Sequence, residues 1–256
     1  MKSGVEKIFE EVKEKYLQPE ELEEWTNIVA EGLTLYEERY IKKYINKKGK
    51  LLDIGCGGGR EGIALASDGY DVFGIDLVVP MVVNARKTAE KMNQKLRYSA
   101  MNALSLGFKN NTFNGLLMLG QVLAFIPLRE NRITALKEAY RVLKPGGKIL
   151  LTTHSRNSHL KYRIYFFVKD HLRRILKHFG LNTLEPGDRF ATTVGNAKSK
   201  GKHYLHMYSM AETFEDLTAA GFKVLHCNSR KEIINNKGTP NRREDDYYLI
   251  YAAEKR

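Results

Sequence analysis

A chain of 256 residues, 43% of them apolar, holds enough material for one folded core, and a formal charge of +12 bears on solubility and partners without constraining the fold. These values exclude a disordered chain, and two cysteines, Cys56 and Cys227, exclude a disulfide framework and point to the reducing cytoplasm. The first 25 residues contain no signal-type apolar block. The longest nearly uncharged apolar run, 115–128, is too short for a bilayer and is interrupted by Gly, Gln and Pro, so no integral membrane association is expected.

Val5, Ile8, Phe9, Val12 and Tyr16 recur at helical spacing. Pro19 interrupts them, and a second, acidic helix is expected from about Glu20 through Tyr44. LLDI at 51–54 is a short apolar strand, followed by a helix that closes near Gly69. YDVFGID is the second strand, and Pro80 suits the first turn of the helix after it. Segments 95–100 and 114–120 suggest the third and fourth strands. Ile133, Leu136, Ala139, Tyr140 and Leu143 mark a helix stopped by Lys-Pro-Gly-Gly at 144–147, and KILLTTH is the fifth strand. Strands alternating with helices of this length imply a doubly wound α/β fold.

Past His154 the alternation breaks. Residues 159–179 place Leu160, Ile164, Phe167, Val168, Leu172, Ile175 and Phe179 on one helical stripe among basic residues, and 155–201 holds ten Lys and Arg against three Asp and Glu. This reads as a helix capping its own domain, with a membrane or RNA surface as the alternative. A polar loop is expected next, then a helix at 210–221 and two strands, FKVLHC and DDYYLIYAAEK, around a polar connection at 229–244. The expected organisation is a single domain, 1–256. It comprises N-terminal helices at 1–47, a Rossmann-like core at 48–154 and 202–256, and a basic helical insertion or lid at 155–201.

GCGGGREG at 55–62 packs five glycines into eight positions between a strand and a helix, where unpaired N–H groups and missing side chains let a ligand approach. Two registers fit. Gly57, Gly59 and Gly62 form a dinucleotide pattern, whereas Gly55, Gly57 and Gly59 after Asp53 form a loop suited to S-adenosylmethionine. Asp76 follows Gly59 by 17 residues, where a carboxylate meets ribose hydroxyls in either case. Asp53, inside the first strand, favours the second register, because a carboxylate is costly there unless it orients the loop or meets the ligand.

LDIGCGGGR, GID and RVLKPGG together resemble the class I S-adenosylmethionine-dependent methyltransferases, over roughly 48–154 and more loosely 202–256. The resemblance implies a doubly wound, seven-stranded, mostly parallel sheet with an antiparallel last strand, N-terminal helices and a helical insertion after strand five. It implies S-adenosylmethionine as cofactor, with Asp53, Gly55, Cys56, Gly57 and Gly59 at its methionine end and Asp76 and Leu77 at the ribose. Asn102 and Ala103 would face the adenine, and Leu119, Gly120 and Gln121 would lie beside the sulfonium. Asn102 stands where the family commonly has Asp but still offers a carbonyl acceptor, and Phe113-Asn114 stands where Phe-Asp is usual.

His154, Gln121 and His206 are the candidate catalytic residues. His203 and His206 are spaced i, i+3 without a companion Cys or acidic cluster, so no metal site is expected. Cys56 reads as a small buried residue. The N-terminal helices and the 155–201 insertion are expected to roof the carboxyl edge of the sheet together and define the acceptor pocket, with Tyr36 and Glu37 as candidates for closing over the cofactor. The expected activity is methyl transfer to O or N of a small-molecule acceptor. The alternatives are an RNA methyltransferase, since HYLHMYSMAETFEDLTAAGF resembles tRNA wobble-uridine methyltransferases and the basic insertion could meet RNA, and a non-catalytic S-adenosylmethionine-binding scaffold. The sequence leaves the oligomeric state open.

Overall fold

A computed structural model describes residues 4–45, 48–181, 184–194, 197–234 and 247–256, with the backbone alone at 4–6, 192–194, 197–202 and 234. Helix α1 (Gly4–Tyr16) is followed by α2 (Pro19–Asn27), a 3-10 turn at Ile28–Glu31, and α3 (Leu35–Tyr44). The single helix expected from Glu20 to Tyr44 is therefore two. The chain turns at Gly32, and Thr34 starts a new helix through a capping box, in which the Glu37 carboxylate accepts from the Thr34 amide at 2.8 Å.

The core continues as β1 (Lys50–Ile54), α4 (Arg60–Ser67), β2 (Asp71–Asp76), α5 (Val79–Lys91), β3 (Arg97–Ala100), β4 (Phe113–Met118), α6 (Arg129–Val142) and β5 (Leu143–His154). After β5 come α7 (Leu160–His178), β6 (Asp188–Val194), β7 (Ala197–His206), α8 (Met210–Ala219), β8 (Phe222–Ser229), α9 (Arg230–Ile234) and β9 (Tyr248–Lys255). The seven-stranded sheet has the order β3-β2-β1-β4-β5-β9-β8, and only β9 runs antiparallel, pairing with both β5 and β8. This is the architecture that the motifs imply.

The central strands are apolar throughout because both faces are covered. Along β4, Leu116 and Met118 join the core under α6 and α8, while Leu117 joins Tyr40, Ile41 and Tyr44 of α3 on the other face. Strand order reverses between β1 and β4, so the crevice at their carboxyl ends is where a ligand is received.

The insertion differs from its expected form in two ways. The polar stretch after α7 is a β6–β7 hairpin, paired from Asp188↔His206 to Val194↔Ala197, so it runs past residue 201 before Tyr208 rejoins the core beside Ser155. Its apolar alternation is confined to the base, where Ala191, Leu205 and Met207 pack on Phe166. The apolar stripe of α7 does not cap the domain. Phe166, on the opposite edge, is buried, but Phe167 is 77% exposed and Leu160, Ile164, Val168, Leu172, Ile175 and Phe179 are exposed with it. In the polar connection, α9 is a short helix, and 235–246 lies outside the described residues.

Candidate active site

The glycine loop is fastened to the end of β2 by its own backbone. The amides of Gly55 and Cys56 both donate to the Ile75 carbonyl, at 2.7 and 2.9 Å. Gly55 has φ +74°, and a Cβ there would run into the Val122 side chain, so the turn requires glycine. Asp76 continues the fastening, accepting from the Gly57 amide at 3.0 Å and the Val78 amide at 2.9 Å. Burial pushes its carboxyl up, and the N–H groups of Val78, Gly57 and Leu77 hold that rise back.

Above the loop lie α1 and α2. Trp25 Cε3 stands 3.7 Å from where a Cβ of Gly57 would be, and the Trp25 carbonyl fills the space that a Cβ of Gly58 would need. Loop and roof are thus matched in shape, with a cavity between them. Of the expected residues, Gly55, Cys56, Gly57, Asp76 and Leu77 line it on one side, and Asn102, Ala103, Leu119 and Gly120 on the other. Burial pushes the Cys56 thiol well up, consistent with a packing role.

The roof expected from the N-terminal helices and the insertion is built, among the described residues, by the helices alone, and which of their residues face the cavity was not legible in the sequence. It consists of Phe9, Val12, Lys13 and Tyr16 from α1 and Trp25 from α2, met from below by Val122, Phe125 and Ile126. The available signal was the chain's one tryptophan, set in an acidic helix with no apolar face to explain it. No described residue of 155–201 lines the cavity, and neither do Tyr36 and Glu37.

One end of the cavity is acidic. Arg60 and Glu61 open α4 and line it, and Asp53 lies buried beneath. Glu37 holds the Arg60 guanidinium in a bidentate pair at 2.8 and 2.9 Å, while Glu61 takes another of its N–H groups. Burial pushes Glu37 up, but Arg60 and the Thr34 amide more than offset this and leave its carboxyl below the usual value. Asp53, buried beside Glu61 and Asp76, is pushed well up, and its Oδ2 has no hydrogen-bond partner among the described residues. Glu37, Asp53, Glu61 and Asp76 face a single guanidinium. A ligand carrying cationic groups is what this end accommodates.

Besides Tyr36 and Glu37, five expected residues lie off the cavity surface. Asp53 sits under the loop, and Gly59 packs against Tyr98. Gln121, with φ +67°, turns the chain after β4 as its amide donates to Thr152 Oγ1 at 3.2 Å. His154 is buried beside the rings of Tyr247 and Tyr248, with centroids 4.4 and 5.2 Å away. His206 has both ring nitrogens engaged, Nδ1 with Asp188 at 2.7 Å and Nε2 with Glu212 at 2.9 Å. Glu185, Asp188 and His206 bring ligand-type atoms within 4.8 Å of one another, acidic companions that the spacing of His203 and His206 does not show, and Arg132 pairs with Glu185 at 3.1 Å.

A family model described as "Methyltransferase domain" matches residues 51–147. A demethylmenaquinone methyltransferase of Anoxybacillus flavithermus (strain DSM 21510 / WK1) is 30% identical over 69% of this chain and 72% of its own length. A ubiquinone biosynthesis O-methyltransferase of Coxiella burnetii (strain Dugway 5J108-111) is 32% identical over 46% of this chain, which spans only 50% of that relative. Among solved structures, a SAM-dependent methyltransferase from Methanosarcina mazei superposes with a TM-score of 0.65 at 26% identity, over 88% of this chain and 98% of that one. The chain belongs to the S-adenosylmethionine-dependent methyltransferase family, and S-adenosylmethionine is its cofactor. The glycine cradle and the acidic end fit that molecule, whose sulfonium and ammonium are both cationic.

Proposed function

We propose that this methyltransferase acts on an oxygen or nitrogen of a small, flat, largely apolar acceptor held beside Gly120 under the aromatic roof. The observation that carries this reading is the aromatic share of the cavity lining, to which Phe9, Tyr16, Trp25 and Phe125 contribute rings. Such rings favour a planar partner and exclude water. The names of the curated relatives, which refer to quinones, support a small-molecule acceptor.

S-adenosylmethionine supplies a methyl group already activated on sulfur. The protein then has to orient the acceptor and keep the site dry. Lys13 and Tyr16 are the polar side chains that the roof contributes to the lining. Burial and the nearby carboxylates of Glu21 and Asp76 push the Tyr16 hydroxyl well up, so it stays a neutral donor. The acceptor therefore brings its own lone pair, as a phenolate that the Lys13 charge favours or as a neutral amine.

The test is formation of S-adenosylhomocysteine with a panel of phenols, hydroquinones and aromatic amines, with tRNA included. Turnover is expected with flat aromatic acceptors, and Trp25→Ala should raise their KM about tenfold. Turnover with tRNA alone would replace this reading with the RNA one. Cofactor binding without turnover on any acceptor would leave the scaffold.

A further inference from the structure

The exposed face of α7 has no partner within the chain and a composition that specifies one. Phe166 and Asp170 anchor the helix, with Asp170 accepting from Arg173 at 3.1 Å and from the Gly187 amide at 3.1 Å. At 3.6 residues per turn, Ile164, Val168 and Ile175 then point directly away from the body, flanked by Leu160, Phe167, Leu172 and Phe179. Their exposures run from 43% for Ile175 to 77% for Phe167, an apolar strip along the helix interrupted by Lys161 in the first turn and by His171 near the middle.

The charges sit beside that strip. Arg163 and Arg174 lie along one edge and Lys169 along the other, with Lys161 and Lys177 near the two ends, all exposed. Asp170 is the one acidic residue of the helix, and it is buried. The exposed face is therefore uniformly cationic around an apolar centre. On the Arg163 edge a groove is lined by Arg156, Arg163 and Arg174 next to Leu160 and Ile164, placing guanidinium groups beside apolar contact surface.

We propose that α7 docks this protein on an anionic lipid bilayer, lying in the interface with its apolar strip among the acyl chains and its Arg and Lys side chains among the headgroup phosphates. Charge complementarity selects this occupant. A second copy related by two-fold symmetry would oppose cation to cation. RNA would meet the aliphatic centre of the face, with the cations displaced to its margins. Among the described residues, no helix is long and apolar enough to cross a membrane, so the contact is with the surface. The inference is independent of the methyl acceptor.

The experiment is vesicle cosedimentation of the full chain with phosphatidylcholine, with and without phosphatidylglycerol. Mixed vesicles should bind at least about tenfold more strongly, and added salt should weaken that binding. Ile164→Glu with Val168→Glu, and separately Lys169→Glu with Arg174→Glu, should each lower it about tenfold or more while S-adenosylmethionine affinity is unchanged. All four positions are exposed and remote from the cavity, and a preserved melting curve verifies that the variants fold. No binding to mixed vesicles would overturn the proposal, as would equal binding by wild type and both variants. A dimer in sedimentation equilibrium that the apolar variant abolishes, without vesicle binding, would assign the face to a second copy instead.

Discussion

Asp76 commits both carboxylate oxygens to backbone amides, Gly57 on one side and Val78 on the other, so it fastens the loop, and each oxygen keeps a second lone pair for the ribose contact proposed for it. Asp76→Ala removes both effects. S-adenosylmethionine affinity should fall by about 1.5 to 3 kcal/mol, the range for hydrogen bonds to a charged group, and an unchanged calorimetric titration would end the ribose assignment. His154 shows the opposite case, a titratable group in the place where a sheet of this kind presents its ligand but outside the cavity. Burial, assisted by the charge of Arg189, lowers its pKa from 6.5 to about 3. The folded state therefore keeps it neutral while the unfolded chain takes up a proton below pH 6.5. Stability should fall as pH drops from 6.5 toward 3, by at most about 1.4 kcal/mol per pH unit from this residue. His154→Leu should flatten that limb. Urea midpoints at pH 7 and pH 5 that shift equally in wild type and variant would rule the residue out as its origin.

The roof is an element with its own fastening. Lys15 and Glu21 form an ion pair at 2.9 Å with side chains 1% and 3% exposed, and the same Glu21 oxygen accepts from the Trp25 indole N–H at 3.2 Å. Burial lowers the Lys15 pKa while the pairing with Glu21 opposes this, so removing the partner leaves a buried cation uncompensated. Glu21→Gln should cost about 3 to 5 kcal/mol where the pair is. Because α1 and α2 close the cavity while the sheet core is built elsewhere, hydrogen exchange should speed up across residues 4–27 and stay slow in β4 and β5. Unaltered protection at 4–27 would show that the pair does not hold the roof. The same separation explains what could be read in advance. The strands and glycine loop announce themselves within ten residues, as LLDI followed by GCGGG does. Phe9, Val12 and Tyr16 announce only an amphipathic helix, since periodicity says which residues share a side and nothing about what covers them. For that reason the N-terminal helices are legible as a roof but not the residues that line it, and the stripe of α7 reads as a cap that the structure leaves in solvent. The hairpin was illegible for another reason: AKSKGK carries no alternation, and its pairing is set by the partner strand.

At the scale of the whole molecule the charge is divided. The chain as a whole is +12, and α7 presents cations alone on its exposed face, yet Glu61 and Asp76 line the end of the cavity over the glycine loop beside Arg60, with Glu37 and Asp53 buried behind them. Net charge would draw any anion toward this protein, a dinucleotide included, and the dinucleotide spacing of Gly57, Gly59 and Gly62 would offer it a helix N-terminus. Glu61 stands in the first turn of that helix. A pyrophosphate placed there would meet carboxylates in a partly desolvated pocket, where like charges repel far more strongly than in water. The sulfonium and ammonium of S-adenosylmethionine meet the same groups favourably. Calorimetric titration should therefore show S-adenosylmethionine binding at least about 100-fold more tightly than NAD. Its affinity should change little with salt, because the carboxylates around the loop are buried or half-buried and are screened little. Glu61→Gln should weaken S-adenosylmethionine about tenfold and leave NAD no weaker, since it removes attraction for one and repulsion for the other. Comparable affinities for the two ligands in the wild type would mean that the net charge prevails over the local field. The acidic end would then be explained by loop packing alone.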